Sequence, residues 1–313
     1  MKNYKCSSIL FACVFSLLFA QAQQIPMYTH YMYNTLVVNP AYAGSRDALT
    51  VTALHRSQWV DFKGAPTTQT ITVHAPLRKE NIGLGLSLLN DKIGPSNNTS
   101  IAGYYAFIMK LNENSKLALG LSAGINFYQA RLNTLLLDQQ VDPAFLTNIK
   151  NHITPNFGFG AYYSRERFYA GISVPYILQN SNSAIDQYGG NITIEKEQRH
   201  YFFIMGALFP ISNNVSFKPT SLIKVTPAAP IELDITASFV LMRKLLVGVM
   251  YRTGDALGGL AGYDITEQFH FGYSYDWSFG LQTNKYNQGS HELILRYDIL
   301  SPNQKQIHSP RNF

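Results

Sequence analysis

Residues 232–241 read ELDITASFVL, and residues 269–277 read FHFGYSYDW. In the first stretch every odd-numbered residue is apolar, and the even-numbered residues from 232 to 238 are polar. In the second stretch aromatic residues alternate with histidine, glycine, serine and aspartate. Residues 117–127 and 292–299 continue the same period of two. Alternation of this kind predicts β-strands with two chemically different faces.

Alternating strands occur both in soluble sandwiches and in membrane barrels, and strand length separates the two. The stretches at 117–127 and 269–277 have the length that a tilted strand needs to cross a bilayer, about 9–11 residues. Composition agrees, because charged residues make up 14% of the chain, against roughly a quarter in soluble domains. The chain also contains 20 Tyr and 19 Phe. We therefore predict an all-β fold, a transmembrane antiparallel β-barrel in the outer membrane.

About fourteen strands are expected between residues 48 and 300. They start near Ala48, Thr67, Ile82, Asn98, Lys116, Ile153, Arg167, His200, Val215, Ile231, Leu245, Ala256, Glu267 and Ser290. Tight turns near Arg78, Asn112, Glu166, Ser212, Arg243 and Thr266 alternate with longer connections at 61–66, 133–152, 177–199 and 278–289. Outer-membrane barrels have short periplasmic turns and longer outer loops. This pattern places both termini in the periplasm.

The two ends of the chain are expected to lie outside the barrel wall. Residues 1–22 resemble a signal peptide, with Lys2 and Lys5 before an apolar run and Ala20-Gln21-Ala22 at the cleavage site. A lipoprotein signal ending at Cys13 is the alternative. Both cysteines fall in this segment, so the mature chain lacks thiols. Residues 23–47 form a plug or a periplasmic arm, and residues 301–313 form a tail.

Nothing in the sequence indicates catalysis, a cofactor or a metal. Ser290-His291-Glu292 lacks the surroundings of an activated nucleophile. Asp138 and Asp142 are too few ligands for a calcium loop. The net charge of +6 includes no basic block, so no nucleic-acid partner is expected.

A set of polar and charged residues falls on the predicted inner face of the barrel. Charges in a barrel lumen are either solvated, which leaves a channel, or paired with a plug, which closes it. The sequence leaves both alternatives open. The set consists of Arg56, Glu232, Asp234, His270, Asp276, Glu292, Arg296 and Asp298.

Two N-terminal segments, YTHYMYN at 28–34 and VNPAYAGS at 38–45, strongly resemble the opening of the PorP/SprF family. This is a family of type IX secretion system membrane proteins of Bacteroidetes. One departure is His30, where relatives more often carry Gln. The resemblance continues in RSQW at 56–59, NDKIG at 90–94, DPAF at 142–145 and GYSYD at 272–276. The residues of this family motif are Asn39, Pro40, Ala41, Tyr42, Gly44, Arg56 and Trp59.

The resemblance implies a non-enzymatic component that assists the secretion and surface attachment of a partner adhesin, with a link to gliding motility. It implies contact with outer-membrane lipid, with that adhesin and with periplasmic components of the secretion apparatus. An uptake channel for a solute or a hydrophobic compound is the alternative, because a wide polar lumen would serve it equally well.

Overall fold

The computed structural model describes residues 25–77, 81–134, 148–185, 191–227, 229–279 and 287–300. The predicted signal peptide at 1–22, the tail at 301–313, and Asp138 and Asp142 lie outside the described residues. The turn expected at Arg78 also lies outside them.

Strands make up most of the described chain. They are β1 (Leu49–Ser57), β2 (Thr67–Pro76), β3 (Ile82–Ile93), β4 (Ser96–Asn112), β5 (Ser115–Ala130), β6 (Ile149–Arg165), β7 (Phe168–Val174), β8 (Ser181–Ile185), β9 (Asn191–Lys196), β10 (Tyr201–Ala207), β11 (Phe209–Pro210), β12 (Val215–Val225), β13 (Glu232–Leu241), β14 (Leu245–Arg252), β15 (Ala256–Asp264), β16 (Phe269–Ser278) and β17 (Ser290–Ile299). The short helix α1 (Thr35–Val38) and two 3-10 turns, Pro40–Tyr42 and Leu132–Thr134, complete the elements.

Fourteen of these strands form one closed antiparallel barrel. Each barrel strand pairs with the barrel strands before and after it along the chain, so that β7 pairs with β10 and β10 pairs with β12, with Tyr201 opposite Val225. The barrel closes where β1 pairs with β17, with Leu49 opposite Ile299. Strands β8 and β9 form a separate hairpin within the connection from β7 to β10. The predicted fold class and strand number are confirmed.

The two ends of the barrel differ in their connections, as the sequence pattern indicated. One end, here called the turn end, carries short connections such as Glu113–Asn114 and residues 242–244. The opposite end, here called the loop end, carries the connections at 58–66, 131–148 and 175–200. The loop end also has tight turns at Gly94 and Gly254, where φ values of +54° and +70° suit glycine.

The barrel wall separates two kinds of side chain. Outward-facing positions of the strands carry large apolar residues that are 37–60% exposed. They include Ile71, Leu86, Leu121, Phe157, Ile172 and Phe271. Inward-facing positions are buried and carry small, polar or charged residues together with some large apolar ones, such as Leu246 and Met250. A wall that presents apolar side chains outward is the pattern of a barrel embedded in lipid.

The lumen holds the N-terminal segment, residues 25–47, here called the plug segment. It begins near Phe202 and Leu222 at the loop end, and it ends at Arg46, which contacts Asp298 at the turn end. The buried core lies between this segment and the inner wall. The two alternatives for the N-terminal segment are a plug and a periplasmic arm, and residues 25–47 lie inside the lumen.

Candidate functional site

Residues 39–44 of the plug segment lie directly against the inner face of the barrel wall. Asn39 Nδ2 donates hydrogen bonds to the carbonyl oxygens of Ala161 and Ile172, at 3.0 and 3.3 Å. Its Oδ1 accepts a hydrogen bond from the Ala41 backbone at 2.9 Å, which fixes the 3-10 turn that Pro40 begins. One asparagine thus ties the turn to strands β6 and β7.

Glycines on the inner wall make room for this turn. A Cβ atom at Gly120 would overlap the backbone of Ala41, and one at Gly160 would overlap the Asn39 side chain. Gly44 has φ +70°, and its backbone lies against Gly83. The Asn-Pro-Ala-Tyr-Ala-Gly motif therefore has matching glycines on three different strands.

Charged groups fix the plug segment near the loop end. The backbone N–H groups of Thr29 and His30 donate to the two carboxylate oxygens of Glu292, at 2.9 and 2.7 Å. His30 Nδ1 lies 2.8 Å from Glu292 Oε1. Arg56 Nη1 lies 2.8 Å from Asp276 and 3.1 Å from Glu292. We call Thr29, His30, Arg56, Asp276 and Glu292 the upper cluster.

A second group of charges fixes the segment at the turn end. Arg46 binds Asp298 through two nitrogens, at 3.2 and 2.8 Å, and Thr50 donates to the same carboxylate at 2.7 Å. Arg296 lies 3.5 Å from Asp298. The cations of Arg296 and Lys218 lie 5.1 and 4.7 Å from the ring centre of Tyr33, which is a cation–π geometry.

Tyrosines fill the space between the two groups of charges. The Tyr31 hydroxyl lies 2.9 Å from Thr220 Oγ1, and Tyr42 packs edge-on against Tyr162 with ring centres 5.4 Å apart. Tyr31 and Tyr33 are 0% and 8% exposed, so both rings are buried.

The structure distributes the eight lumen residues over several contacts. Arg56, Asp276 and Glu292 come together in the upper cluster, and Arg296 joins Asp298 at the turn end. His270 pairs with Asp264 at 2.7 Å and lies against Tyr33. Asp234 forms a bidentate pair with Arg252, at 2.9 Å for both contacts. Glu232 binds Lys224 at 2.7 Å and remains 17% exposed.

The sequence pattern does not predict several of the residues that form these contacts. Arg252 is not evident from the sequence because its inner-face neighbours Leu246 and Met250 are apolar, which hides the alternation in β14. Both apolar side chains are buried in the core between the plug segment and the wall. The sequence places Arg46 and His30 in the N-terminal segment without indicating their contacts with the wall. The family-motif residue Trp59 lies apart, in the connection from β1 to β2.

Two small cavities lie between the plug segment and the wall. A cavity of about 10 Å³ lies beside Val37 and Tyr104, and one of about 20 Å³ lies beside Met27 and Tyr176. Each has room for about one water molecule.

None of the described helices has the length and apolar character to cross a membrane. No group of three or more His, Cys, Asp or Glu side chains in the described ranges could hold a metal ion.

Comparison with solved structures finds other barrels. The monoaromatic hydrocarbon channel CymD has 10% identity and a TM-score of 0.50, over 88% of this chain and 94% of that one. The toluene transporter TbuX of Ralstonia pickettii has 10% identity and a TM-score of 0.47, over 85% and 93%. Omp33 of Acinetobacter baumannii has 12% identity and a TM-score of 0.45, over 82% and 100%. At these identities the likeness concerns the fold alone.

Comparison with families is more specific. No curated protein matches the sequence significantly. The family described as "Type IX secretion system membrane protein PorP/SprF" matches residues 20–297, which include the plug segment and nearly all of the barrel. Together with the barrel fold, this match establishes the outer membrane as the location. The chain belongs to the PorP/SprF family and is an outer-membrane component of the type IX secretion system.

Proposed function

We propose that the protein is a closed, non-enzymatic barrel that assists the secretion of one partner adhesin and its attachment to the cell surface. Family membership supports a role in secretion. The filled lumen supports a role other than conduction, because the plug segment is bonded to the wall near both ends of the barrel.

The filled lumen is the observation that carries the proposal. A diffusion channel needs a continuous aqueous path, and wide porin-type barrels keep one. Here Tyr31, Tyr33 and Tyr42 are at most 8% exposed, and all three rings pack against side chains of the inner wall. We therefore propose residues 25–47 as a structural plug and residues 48–300 as its barrel. The neighbouring channels CymD and TbuX support the barrel shape without supporting transport by this chain.

The loop end offers the surface on which a partner could dock. The β8–β9 hairpin projects from the 175–200 connection as a sheet separate from the barrel. Asn180 ties its base to the wall by donating to the Pro155 carbonyl at 3.1 Å and to Glu197 at 2.9 Å. Binding surfaces often lie on connections that a rigid scaffold holds in place. We propose this hairpin as the contact with the adhesin.

The test is deletion of the gene in its native host. We expect one large adhesin to disappear from the cell surface while other type IX cargo is still secreted. A complementing variant with residues 181–196 replaced by a short linker should restore barrel assembly and fail to restore adhesin retention.

Planar-bilayer recordings complete the test. The intact barrel should show no steady conductance, and a variant lacking residues 25–45 should conduct if it folds. Normal adhesin display in the deletion strain, together with a conducting intact barrel and lost uptake of a solute, would replace the proposal with the channel.

A further inference from the structure

A second concave site lies at the loop end, outside the lumen. The connection from β1 to β2 and the turn at Gly94 enclose a cavity of about 370 Å³. Its lining includes Gln58, Trp59, Asp61 and Phe62. The volume falls within the range of small-molecule sites, about 300–1,000 Å³.

The backbone of this connection is held in a strained shape. Trp59 and Asp61 have φ values of +46° and +69°, in the left-handed region that favours glycine. Backbone hydrogen bonds of 2.9 Å hold the loop, from Gln58 N–H to the Pro66 carbonyl and from Val60 N–H to the Gly289 carbonyl. Strain of this kind persists only where surrounding contacts impose it, and it concentrates at binding sites. A preformed loop also loses less entropy on binding.

The lining combines aromatic rings with hydrogen-bonding groups. The Trp59 and Phe62 rings meet edge-on with centres 6.3 Å apart, and Phe62 is 38% exposed. Gln58, Asp61 and Lys92 surround them with an amide, a carboxylate and an ammonium group. This combination suits a sugar ring, whose C–H face can lie on an aromatic ring while its hydroxyls bond to polar groups. A pocket for an apolar peptide side chain would have a mainly apolar lining.

The site faces outward from the barrel, toward the membrane. Asp91 faces inward, where it accepts a hydrogen bond from Thr68 in the wall at 2.6 Å. Lys92 is the next residue of the strand and therefore faces outward. Beside the cavity, the outer face is polar, since Asn90 donates to Asn97 and Thr99 at 3.0 and 2.9 Å.

Closer to the turn end, the same outer face becomes apolar. Ile71, Leu88 and Ile101 are 49%, 44% and 44% exposed there. A change from polar to apolar side chains is expected where the hydrocarbon layer of the membrane ends. In the predicted orientation, the cavity then lies at the level of the headgroups of the outer leaflet.

We propose that this cavity binds the saccharide headgroup of an outer-leaflet glycolipid. A sugar ring lies against Trp59, and its hydroxyls bond to Asp61 and Gln58. Lys92 meets an anionic substituent of the sugar. Such a site would hold the barrel in a glycolipid-rich surrounding, independently of any adhesin.

Fluorescence of Trp59 tests the proposal directly. The chain contains two tryptophans, so Trp277→Phe leaves Trp59 as the sole reporter. The purified full-length barrel is titrated with lipopolysaccharide, with the lipid-free saccharide released from it, and with phosphatidylglycerol vesicles. We expect a saturable change with the first two and none with the vesicles.

Two variants and one matched control test the lining residues. Asp61→Asn and Lys92→Gln should each weaken binding about tenfold, the loss expected for one hydrogen bond to a charged group. Asparagine tolerates the left-handed backbone at position 61, so Asp61→Asn should fold. Lys63→Gln, in the same loop but outside the lining, should leave binding unchanged.

Three outcomes would overturn the proposal. They are an equal response to phosphatidylglycerol, a response to lipopolysaccharide without any response to its saccharide, and no saturable response at all. Each variant is accepted only if it keeps the heat-dependent gel mobility of a folded barrel.

Discussion

At the scale of single residues, Arg56 holds the upper cluster together. Its Nη1 lies 3.0 Å from Thr29 Oγ1, 2.8 Å from Asp276 and 3.1 Å from Glu292. The Arg56 side chain is 2% exposed and the two carboxylates are at most 1% exposed. Buried charges are tolerated when they are paired, and removal of one partner leaves the others uncompensated.

We therefore expect Arg56→Met to be strongly destabilising. The free energy of unfolding should fall by about 3–5 kcal/mol, the cost of breaking a buried ion pair. Denaturant titration of the refolded barrel in detergent measures this change. Arg131→Met removes an exposed arginine and should change stability by less than about 0.5 kcal/mol. Equal effects of the two substitutions would contradict the importance of the upper cluster.

The contact of Gly120 with the plug segment gives a second prediction. Gly120→Ala should cost about 1–3 kcal/mol through overpacking, because its Cβ meets the backbone of Ala41 and Pro40, which cannot rotate away. Gly259→Ala is the control, since a Cβ there meets nothing within 4 Å. The measurement is the temperature at which each variant loses the gel mobility of the folded barrel. A fall in this temperature for Gly259→Ala alone would refute the prediction.

At the scale of the elements, each barrel strand has one face toward the lipid and the other toward the plug segment. In β13 the outward Ile235 is 45% exposed, while the adjacent inward residues Asp234 and Thr236 are 0% exposed. The inner face therefore meets a packed core in place of water. Strand β13 is stable because its apolar face meets lipid and its polar face meets partners inside the lumen.

This arrangement predicts a dependence on depth in the membrane. Ile235→Arg, near the middle of β13, should cost about 2–4 kcal/mol in lipid, because the charge lies near the bilayer midplane. Leu49→Arg, at the turn end of β1, should cost about 0–1 kcal/mol. Folding titrations into lipid vesicles compare the two variants. The reverse order would mean that the hydrocarbon layer covers a different part of the wall.

At the scale of the whole molecule, the barrel is asymmetric along its axis. The turn end carries short connections, and the loop end carries the long ones with the β8–β9 hairpin and the Trp59 cavity. The plug segment runs between the two ends inside the wall. This asymmetry indicates that the loop end faces outward from the cell and the turn end faces the periplasm.

Labelling of single cysteines in whole cells tests that orientation. The only cysteines of the chain are Cys6 and Cys13, within the predicted signal peptide, so introduced thiols report cleanly. A membrane-impermeant maleimide should label Ser181→Cys in intact cells, and it should label Lys244→Cys only after permeabilisation. Labelling of Lys244→Cys alone in intact cells would reverse the orientation.

The sequence by itself determined the strands, their number and their two faces. These properties are local, because the alternation of side chains along a strand has a fixed period of two. Strand β13 begins at Glu232 and alternates as its sequence indicates. The connections then set the order, since each barrel strand pairs with the next barrel strand along the chain.

Only the tertiary structure decided whether the lumen is open or filled. Arg56 meets Glu292 because barrel closure places them as cross-strand partners, although they lie 236 residues apart. The bonds of Thr29 to Glu292 and Asp276 span 263 and 247 residues. No local pattern specifies such pairs, because they depend on which strands close the barrel and on how the plug segment fits against the glycines of the wall.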